Sequence, residues 1–508
     1  MSTNSATPNI LLCIADDLGE ANVTIAGSGA TRTIEVHNVD NSGTDIVGAM
    51  PNTSLLLRNG LYFSGAWAQP ACSPTRASIY TGLHPWKHGV GSPMGNPVLD
   101  SGAGFTSLPN LLPGSYVSGL FGKWHLGGVS DAATPTDHGW DRHIGTLGGV
   151  LPDYYVWSVV DSATGYTQVA LDANVDVTQY ATLRTARDAA EWINANAADP
   201  WFATIAFNTP HDPFHVPPGG YDAATAGNPA DDDYLFNLMV QNMDGNIGRL
   251  IGTSGQPGGR RYFPPIAADQ LSNTIIVFIG DNGTPAGISL EEHKTEIYEG
   301  GVRVPIIITD GQALMNEING QAISPRFLHA SRVNATASQM IHVTDLYATI
   351  VRLADPAANA FPSDMDAKDF SGVVKNPIVV RPPIKPPVIR PGGIPTPPPV
   401  IVPPILNIVR VFNFSQWYTN SGNRATIRNA AYKLNFDESM NPQYSLYQYV
   451  SGEIPDLEYP NIVDASVDVF NDALNGSNAD AQTNLDLLLD ELIANYQQDE
   501  TTPFPDPR

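Results

Sequence analysis

Three short runs constrain the fold more than anything else in this chain: NILLCIA (9–15), WFATIAFNTP (201–210) and NTIIVFIGDNG (273–283). None shows the polar alternation of a strand with one wet face, so each must be covered on both sides. Between them lie TLRTARDAAEWINANA (182–197) and DDDYLFNLMVQNMDGNIGRLI (231–251), with apolar residues at helical spacing. Buried strands alternating with amphipathic helices predict an α/β domain on a large, mainly parallel mixed sheet flanked by helices. Ligands of such sheets gather at the carboxyl ends of the strands. Two of the runs end there in Asp16-Asp17 and Asp281-Asn282, and the third leads into NTPHDPFH, which contains His211.

The composition changes near residue 376. From Pro377 to Pro404 the chain is dominated by proline, contains Arg381, Lys385 and Arg390, and has no acidic residue. Such a stretch is extended polyproline II, read as a linker or insertion. A sharper reading makes it a basic strap lying across the acidic surface of its own chain or of a second subunit. Beyond it, RVFNFSQWYT, ATIRNAAYKLNF and QYSLYQYV read as short strands, and TNLDLLLDELIANYQQ as an amphipathic helix. The expected division is 1–376, the proline-rich 377–404, and a smaller α+β domain with an antiparallel sheet over 405–508.

Charge narrows the partners. With 26 Lys and Arg against 51 Asp and Glu the net charge is −25, which argues against nucleic acid or an anionic membrane surface. An anionic substrate would need positive charge supplied locally. Two cysteines make no disulfide framework, so packing must hold the fold. The start MSTNSATPNILLCIADDLG lacks the pattern of a signal peptide, so the expected compartment is cytoplasmic as the chain stands, periplasmic or secreted if a leader was removed. No uncharged run reaches the ~18 residues of a membrane span.

Cys13 reads as strand filling, but Cys72, in ACSPTRASIYTG (71–82), does not. Ser73 as N-cap and Pro74 at the first helical position predict a helix start there. That puts Cys72 where free N–H groups favour an anion, with Arg76 one turn on, and such a thiol is reactive. A buried structural cysteine is the bland alternative. In GKWHLGG, Lys123 and His125 are two residues apart, so in an extended segment both face one side. Alone that pair reads as solvated surface, ADDLG as a helix cap and DNG as a turn.

The string C-x-P-x-R-x-x-x-x-T-G, filled by Cys72, Pro74, Arg76, Thr81 and Gly82, resembles the signature of type I sulfatases, where it directs oxidation of the cysteine to formylglycine. PNILLCIADDLG, AWAQPACSPTRASIYTGLHPWKHGVG, GKWHLGG, FNTPHDPFHVPPG, IGDNG, KTEIYEGGVRVP and HVTDLYATI resemble the same family, over roughly residues 8–370 and more weakly at YKLNF and YSLYQY. The proline-rich segment departs from the family pattern.

The resemblance implies an alkaline-phosphatase-like fold and a sulfuric ester hydrolase of the arylsulfatase type. It implies that Cys72 becomes a formylglycine whose hydrate attacks sulfur with one hydroxyl and expels sulfate with the other. Asp16, Asp17, Asp281 and Asn282, with residue 72, would hold a metal, and a set of oxygen ligands favours Ca²⁺ over Mg²⁺. Lys123 would bridge nucleophile and sulfate, His125 take the hydroxyl proton, and His211 and Lys294 bind sulfate and protonate the leaving oxygen. Arg76, Lys123 and Lys294 then supply the positive field that the net charge demands. The implied partners are a small-molecule or saccharide sulfate ester and a formylglycine-generating maturation enzyme. His84, Trp86 and His88 are expected as scaffold, residues 139–157 and His215 as pocket lining, His293 as a further candidate, and Arg303 as an anchor for Glu299. The alternatives are a phosphonate monoester or phosphodiester hydrolase of the same superfamily and a non-catalytic sulfoglycan binder. The natural ester and the oligomeric state stay open.

Overall fold

The computed structural model describes residues 7–377, apart from 40–42, 44, 94–96, 103, 128–133, 221–227, 229, 254–261 and 290–291. It then describes 410, 412–419, 422–429, 432–439, 444–448 and 479–495. The proline-rich stretch from 378 on, and with it the expected strap, lies outside the described residues.

Ten strands form one sheet: β1 (Asn9–Ala15), β2 (Gly60–Phe63), β3 (Val117–Lys123), β4 (Arg142–Thr146), β5 (Val156–Asp161), β6 (Val169–Asp172), β7 (Trp201–Ala206), β8 (Thr274–Gly280), β9 (Ile306–Asp310) and β10 (Ala335–Ala337). Their order is β6-β5-β4-β3-β7-β1-β8-β9-β2-β10. The central five, β4 to β8 through β1, are parallel, and the antiparallel pairs lie outside them. All three apolar runs sit side by side in that centre. Successive β1 side chains divide between two cores: Leu11, Cys13 and Ala15 join one, and Ile10, Leu12 and Ile14 the other. The first is covered by α2 (Ala181–Ala195) and α3 (Asp232–Ile251), the second by α1 (Cys72–Thr81) and α4 (Leu346–Ala354). Full burial of each such Ile or Leu stabilises by about 1.5–3 kcal/mol, which is why these strands tolerate no polar alternation. Burial pushes the Cys13 thiol up to about 12, as expected of an inert core cysteine. Among the described residues no helix is long and apolar enough to cross a membrane.

The C-terminal segments pair antiparallel in the order Asn413–Thr419, Gly422–Arg428, Tyr432–Asp437 and Tyr444–Gln448, backed by α5 (Ala479–Asn495). Leu485, Leu488, Leu489 and Leu492 of α5 share one core with the sheet. This unit is joined to the larger one by buried polar contacts. Ser415 Oγ donates to the Ala68 carbonyl at 2.7 Å, and Arg410 Nη2 lies 2.6 Å from Asp345 Oδ1. A small antiparallel sheet over Val23–Ala26, Thr33–Val39 and Asp45–Ala49 was not anticipated. Its strands are short and half-exposed, without the apolar runs that mark the centre.

Four histidines buried in this frame are held neutral. Burial lowers His88 to about 3 and His143 to about 4, and burial with nearby cations takes His84 and His342 well below the ordinary value. The unfolded chain binds these protons near pH 6.5 and the folded chain does not. Stability should therefore fall as pH drops below about 6.5, by up to ~1.4 kcal/mol per pH unit per histidine. Melting temperatures from about pH 7.5 to 5 check this; a flat profile would contradict it.

Candidate active site

The site begins where β1 and β8 leave the sheet in register, Ala15 opposite Gly280. The next residues are held together by their own polar groups. Asp281 N–H donates to the Ala15 carbonyl at 3.1 Å, Asp17 N–H to Asp281 Oδ1 at 3.0 Å, and Asn282 Nδ2 to Asp17 Oδ1 at 2.8 Å. Oxygens of Asp16, Asp17 and Asp281 all lie within 4.8 Å of one another, and all three residues are buried. Asp16 Oδ1 and Asn282 Oδ1 have no hydrogen-bond donor. Three crowded, buried carboxylates are costly unless positive charge meets them.

It does, from four separate elements. Arg76 Nη2 of α1 is 2.7 Å from Asp281 Oδ2 and 3.6 Å from Asp16 Oδ1. Lys123 Nζ, at the end of β3, is 2.5 Å from Asp16 Oδ2, and Lys294 Nζ is 2.7 Å from Asp17 Oδ1. His211 Nε2, beyond β7, is 3.6 Å from Asp17 Oδ2. Burial works against charge on His211, but Asp17 and Asp16 outweigh it and raise the imidazole to about 9. Burial and Asp16 push Asp281 up to about 6 against the pull of Arg76. Asp17 goes the other way, because Lys294, His211 and Lys123 outweigh its burial. An all-oxygen cluster with two buried oxygens that accept no hydrogen bond fits a hard divalent cation.

Cys72 stands beside this cluster. Helix α1 begins at Cys72 with Ala71 as its cap residue, two positions earlier than the Ser73 cap expected from sequence. The Ser73 hydroxyl is engaged elsewhere, donating to the His125 carbonyl at 3.0 Å. Cys72 Sγ is 3.2 Å from His125 Nδ1. The expected extended Lys-x-His does not occur: β3 ends at Lys123, and His125 sits in the left-handed region with φ 58°. The two side chains still converge, Lys123 on Asp16 and His125 on Cys72. Burial, then Lys123, Arg76, Lys294 and His211, keep the His125 imidazole neutral, well below its ordinary range.

The loops that carry His211 and Lys294 have supports the sequence reading missed. Tyr154 OH lies 2.5 Å from the Asn208 carbonyl and 2.7 Å from that of His211. Lys294 N–H donates to the Thr284 carbonyl at 2.9 Å and Thr295 N–H to that of Pro70 at 2.7 Å. A Cβ on Gly300 would lie 1.7 Å from the Glu292 carbonyl oxygen, and on Gly301 2.1 Å from that of Glu296. The glycine pair of YEGGVRVP thus lets two backbone stretches touch behind Lys294. Glu299 of that motif is gripped by Lys433 at 3.3 Å and by Trp67 Nε1 at 3.2 Å. Arg303, expected to anchor it, donates its backbone N–H to the Glu299 carbonyl at 2.8 Å and helps hold the Glu299 carboxyl low, while its guanidinium pairs with Glu20 at 3.4 Å.

The weaker candidates fall around the edge. His215 Nε2 is 2.8 Å from Tyr180 OH and its ring centroid 4.8 Å from that of Tyr154, so it belongs to an aromatic group behind His211. His293 Nδ1 lies 2.7 Å from the Lys294 carbonyl oxygen. His88 Nε2 is 3.1 Å from Ser78 Oγ, His84 packs on His342 and Phe414, and Trp86 packs on the C-terminal core.

Comparison with known proteins bears on the family and the fold. The family model described as Sulfatase matches residues 8–356. An arylsulfatase of Klebsiella aerogenes is 25% identical over 336 residues, covering 54% of this chain and 66% of that protein. The rat steryl-sulfatase is 24% identical over 434 residues, covering 67% of this chain and 69% of that protein. Among solved structures, the PsFucS1 sulfatase of Pseudoalteromonas sp. superposes with a TM-score of 0.62 at 18% identity, covering 97% of this chain and 92% of that one. Another, solved with its substrate D-glucosamine-2-N,6-O-disulfate, has a TM-score of 0.63 at 15% identity, covering 96% and 97%.

Proposed function

The chain belongs to the sulfatase family, and on that premise we propose that it hydrolyses sulfate monoesters, with Cys72 converted to formylglycine as nucleophile and Ca²⁺ held by Asp16, Asp17, Asp281 and Asn282. The family generally uses a formylglycine and a divalent metal. The observation that carries the reading is the meeting of Cys72 with a neutral imidazole, His125 Nδ1 at 3.2 Å, beside three buried carboxylates and the cations of Arg76, Lys123 and Lys294.

A hydrated formylglycine at residue 72 would supply one hydroxyl to attack sulfur and a second to expel sulfate, and a divalent cation held by Asp16, Asp17, Asp281 and Asn282 would supply positive charge for that chemistry. The chain's own groups do the rest. His125, uncharged, accepts a proton at Nδ1 from the nucleophile. His211, whose Nε2 lies 3.6 Å from Asp17, donates from Nε2 to the departing ester oxygen, which matters most for poorly leaving alkoxides. Lys123, fully buried, and Lys294, partly buried, bring ammonium groups to the sulfate in a site where each charge counts for more than in water. Arg76 pairs with Asp281 at 2.7 Å and offsets its charge. The substrate is an aryl ester or a sulfated carbohydrate or alkyl ester, and the partner required beforehand is a formylglycine-generating enzyme.

Mass spectrometry of the tryptic peptide Asn59–Arg76 tests the nucleophile directly. After co-expression with a maturation enzyme it should carry the thiol-to-aldehyde mass loss at Cys72, and the protein should turn over an aryl sulfate at least ~100-fold faster than an aryl phosphodiester. A preference for the diester would overturn the reading in favour of the phosphonate or phosphodiester alternative, and an intact thiol under those conditions would exclude Cys72 as the formylglycine precursor.

A further inference from the structure

His125 is held from a direction that no motif announces. The parallel ladder of β3 with β4 does not stop at Lys123 and Thr146. Trp124 N–H donates to the Thr146 carbonyl at 2.9 Å and His125 N–H to that of Leu147 at 3.0 Å. The chain after β4 is thereby locked alongside His125, and it reaches Gly148 and Gly149 there. A Cβ built on Gly149 would lie 2.1 Å from His125 Cε1, 2.2 Å from Nε2 and 2.6 Å from Cδ2. A Cβ on Gly148 would meet nothing within 4 Å. The bare Cα of Gly149 therefore packs against the face of the imidazole, over its Cε1–Nε2 bond, while Nδ1 meets Cys72 Sγ at 3.2 Å.

This matters because the His125 backbone is not at ease. A non-glycine residue at φ 58° persists only where its surroundings over-determine it. Two ladder bonds fix its position from one side, and the Ser73 hydroxyl holds its carbonyl from the other. None of these sets the side-chain torsions. The ring's remaining freedom is closed by the Gly149 backbone, and proton transfer demands that freedom be closed: a misplacement of about 1 Å at a reacting group can cost ~100-fold.

We propose that Gly149 is a positioning residue, the backstop that fixes His125 Nδ1 against residue 72, so that any side chain at 149 drives the imidazole out of place. This rests on the role given to His125 above, and deepens it. Gly149→Ala should lower kcat by ~10²–10⁴-fold, the range of a lost general base, with KM changed less than ~3-fold. Gly148→Ala, one residue earlier, should behave as wild type. His125→Ala should reach the same floor, and adding Gly149→Ala to it should cost nothing more, because the two act on one step. If Gly149→Ala loses thermal stability, the double variant should regain it, since removing the imidazole makes room for the methyl. Crystal structures of wild type and Gly149→Ala should show the His125 ring displaced in the variant alone. Wild-type kcat in Gly149→Ala, an unmoved ring, or instability that the double variant does not relieve would each overturn the assignment. Should the wild type hydrolyse no sulfate ester, the function reading fails, while the ring position and the stability rescue still decide the role of Gly149.

Discussion

Cys72→Ala is expected to abolish turnover, lowering kcat on an aryl sulfate by ~10⁴–10⁶-fold, the range in which enzymes lose rate when a covalent nucleophile is deleted. The argument is chemical before it is structural. Every other group at the site binds or transfers protons; only residue 72 can form the bond to sulfur. The variant should nevertheless fold. The Cys72 thiol faces His125, and α1 is held by its own backbone and by Arg76; trimming one sulfur removes no buried ion pair. Melting should thus shift little while activity vanishes. Cys72→Ser separates two parts of the proposal. A serine hydroxyl in that position, with His125 to accept its proton, can be sulfated once, but it has no second hydroxyl with which to eject sulfate. That variant should give at most one turnover per protein and a covalent adduct of one sulfate group, visible by mass spectrometry. Sustained turnover by either variant would exclude Cys72 as the nucleophile.

How much of this could be read in the sequence depended on how local the cause was. The central strands were legible because double-sided burial forces an unbroken apolar run, and 9–15, 201–206 and 274–280 all fall within the runs singled out. Helices 181–195 and 232–251 followed from spacing in the same way. The small sheet over 23–49 escaped because half-exposed strands carry no such signature. The site residues were named from motifs that resemble a family, and the fold brings Cys72, Arg76, Lys123, His125, His211, Lys294 and the four ligand candidates to one place. Two local geometries were nonetheless misread. Ser73 looks like an N-cap by type, but its hydroxyl has a stronger competing partner in the His125 carbonyl. The Lys-x-His pair looks extended by continuity with β3, but the left-handed turn at His125 depends on contacts with Ser73 and Leu147 that are remote in sequence. Tyr154, the Gly300–Gly301 pair and the grip of Lys433 on Glu299 were missed for one reason. Each supports the site from a distance of many residues, and nothing in its own neighbourhood says what it will touch.

The second large effect concerns Asp281, where the proposed ligand and a structural ion pair are the same residue. Asp281→Asn keeps the shape of the side chain and the oxygen that accepts from Asp17 N–H. It removes one negative charge from a group of three buried carboxylates and the three cations that meet them, leaving Arg76 with Asp16 at 3.6 Å as its remaining carboxylate partner. Two consequences follow, and they can be measured apart. Without metal, the unbalanced Arg76 should destabilise the fold by about 3–5 kcal/mol, the cost of removing one partner of a buried pair. With metal, loss of an anionic ligand should weaken Ca²⁺ binding by more than the ~100-fold that follows loss of a mere outer-shell partner. Wild-type melting should rise with added Ca²⁺ by mass action on the folded state; in Asp281→Asn the rise should be absent at concentrations that saturate the wild type. The signs also separate the roles. If Asp281 serves only to pair Arg76, the variant melts early yet shows the full Ca²⁺-dependent rise, and the ligand assignment is wrong. If it is a ligand, the early melting and the lost Ca²⁺ response appear together, and activity stays down even at temperatures where the variant is fully folded.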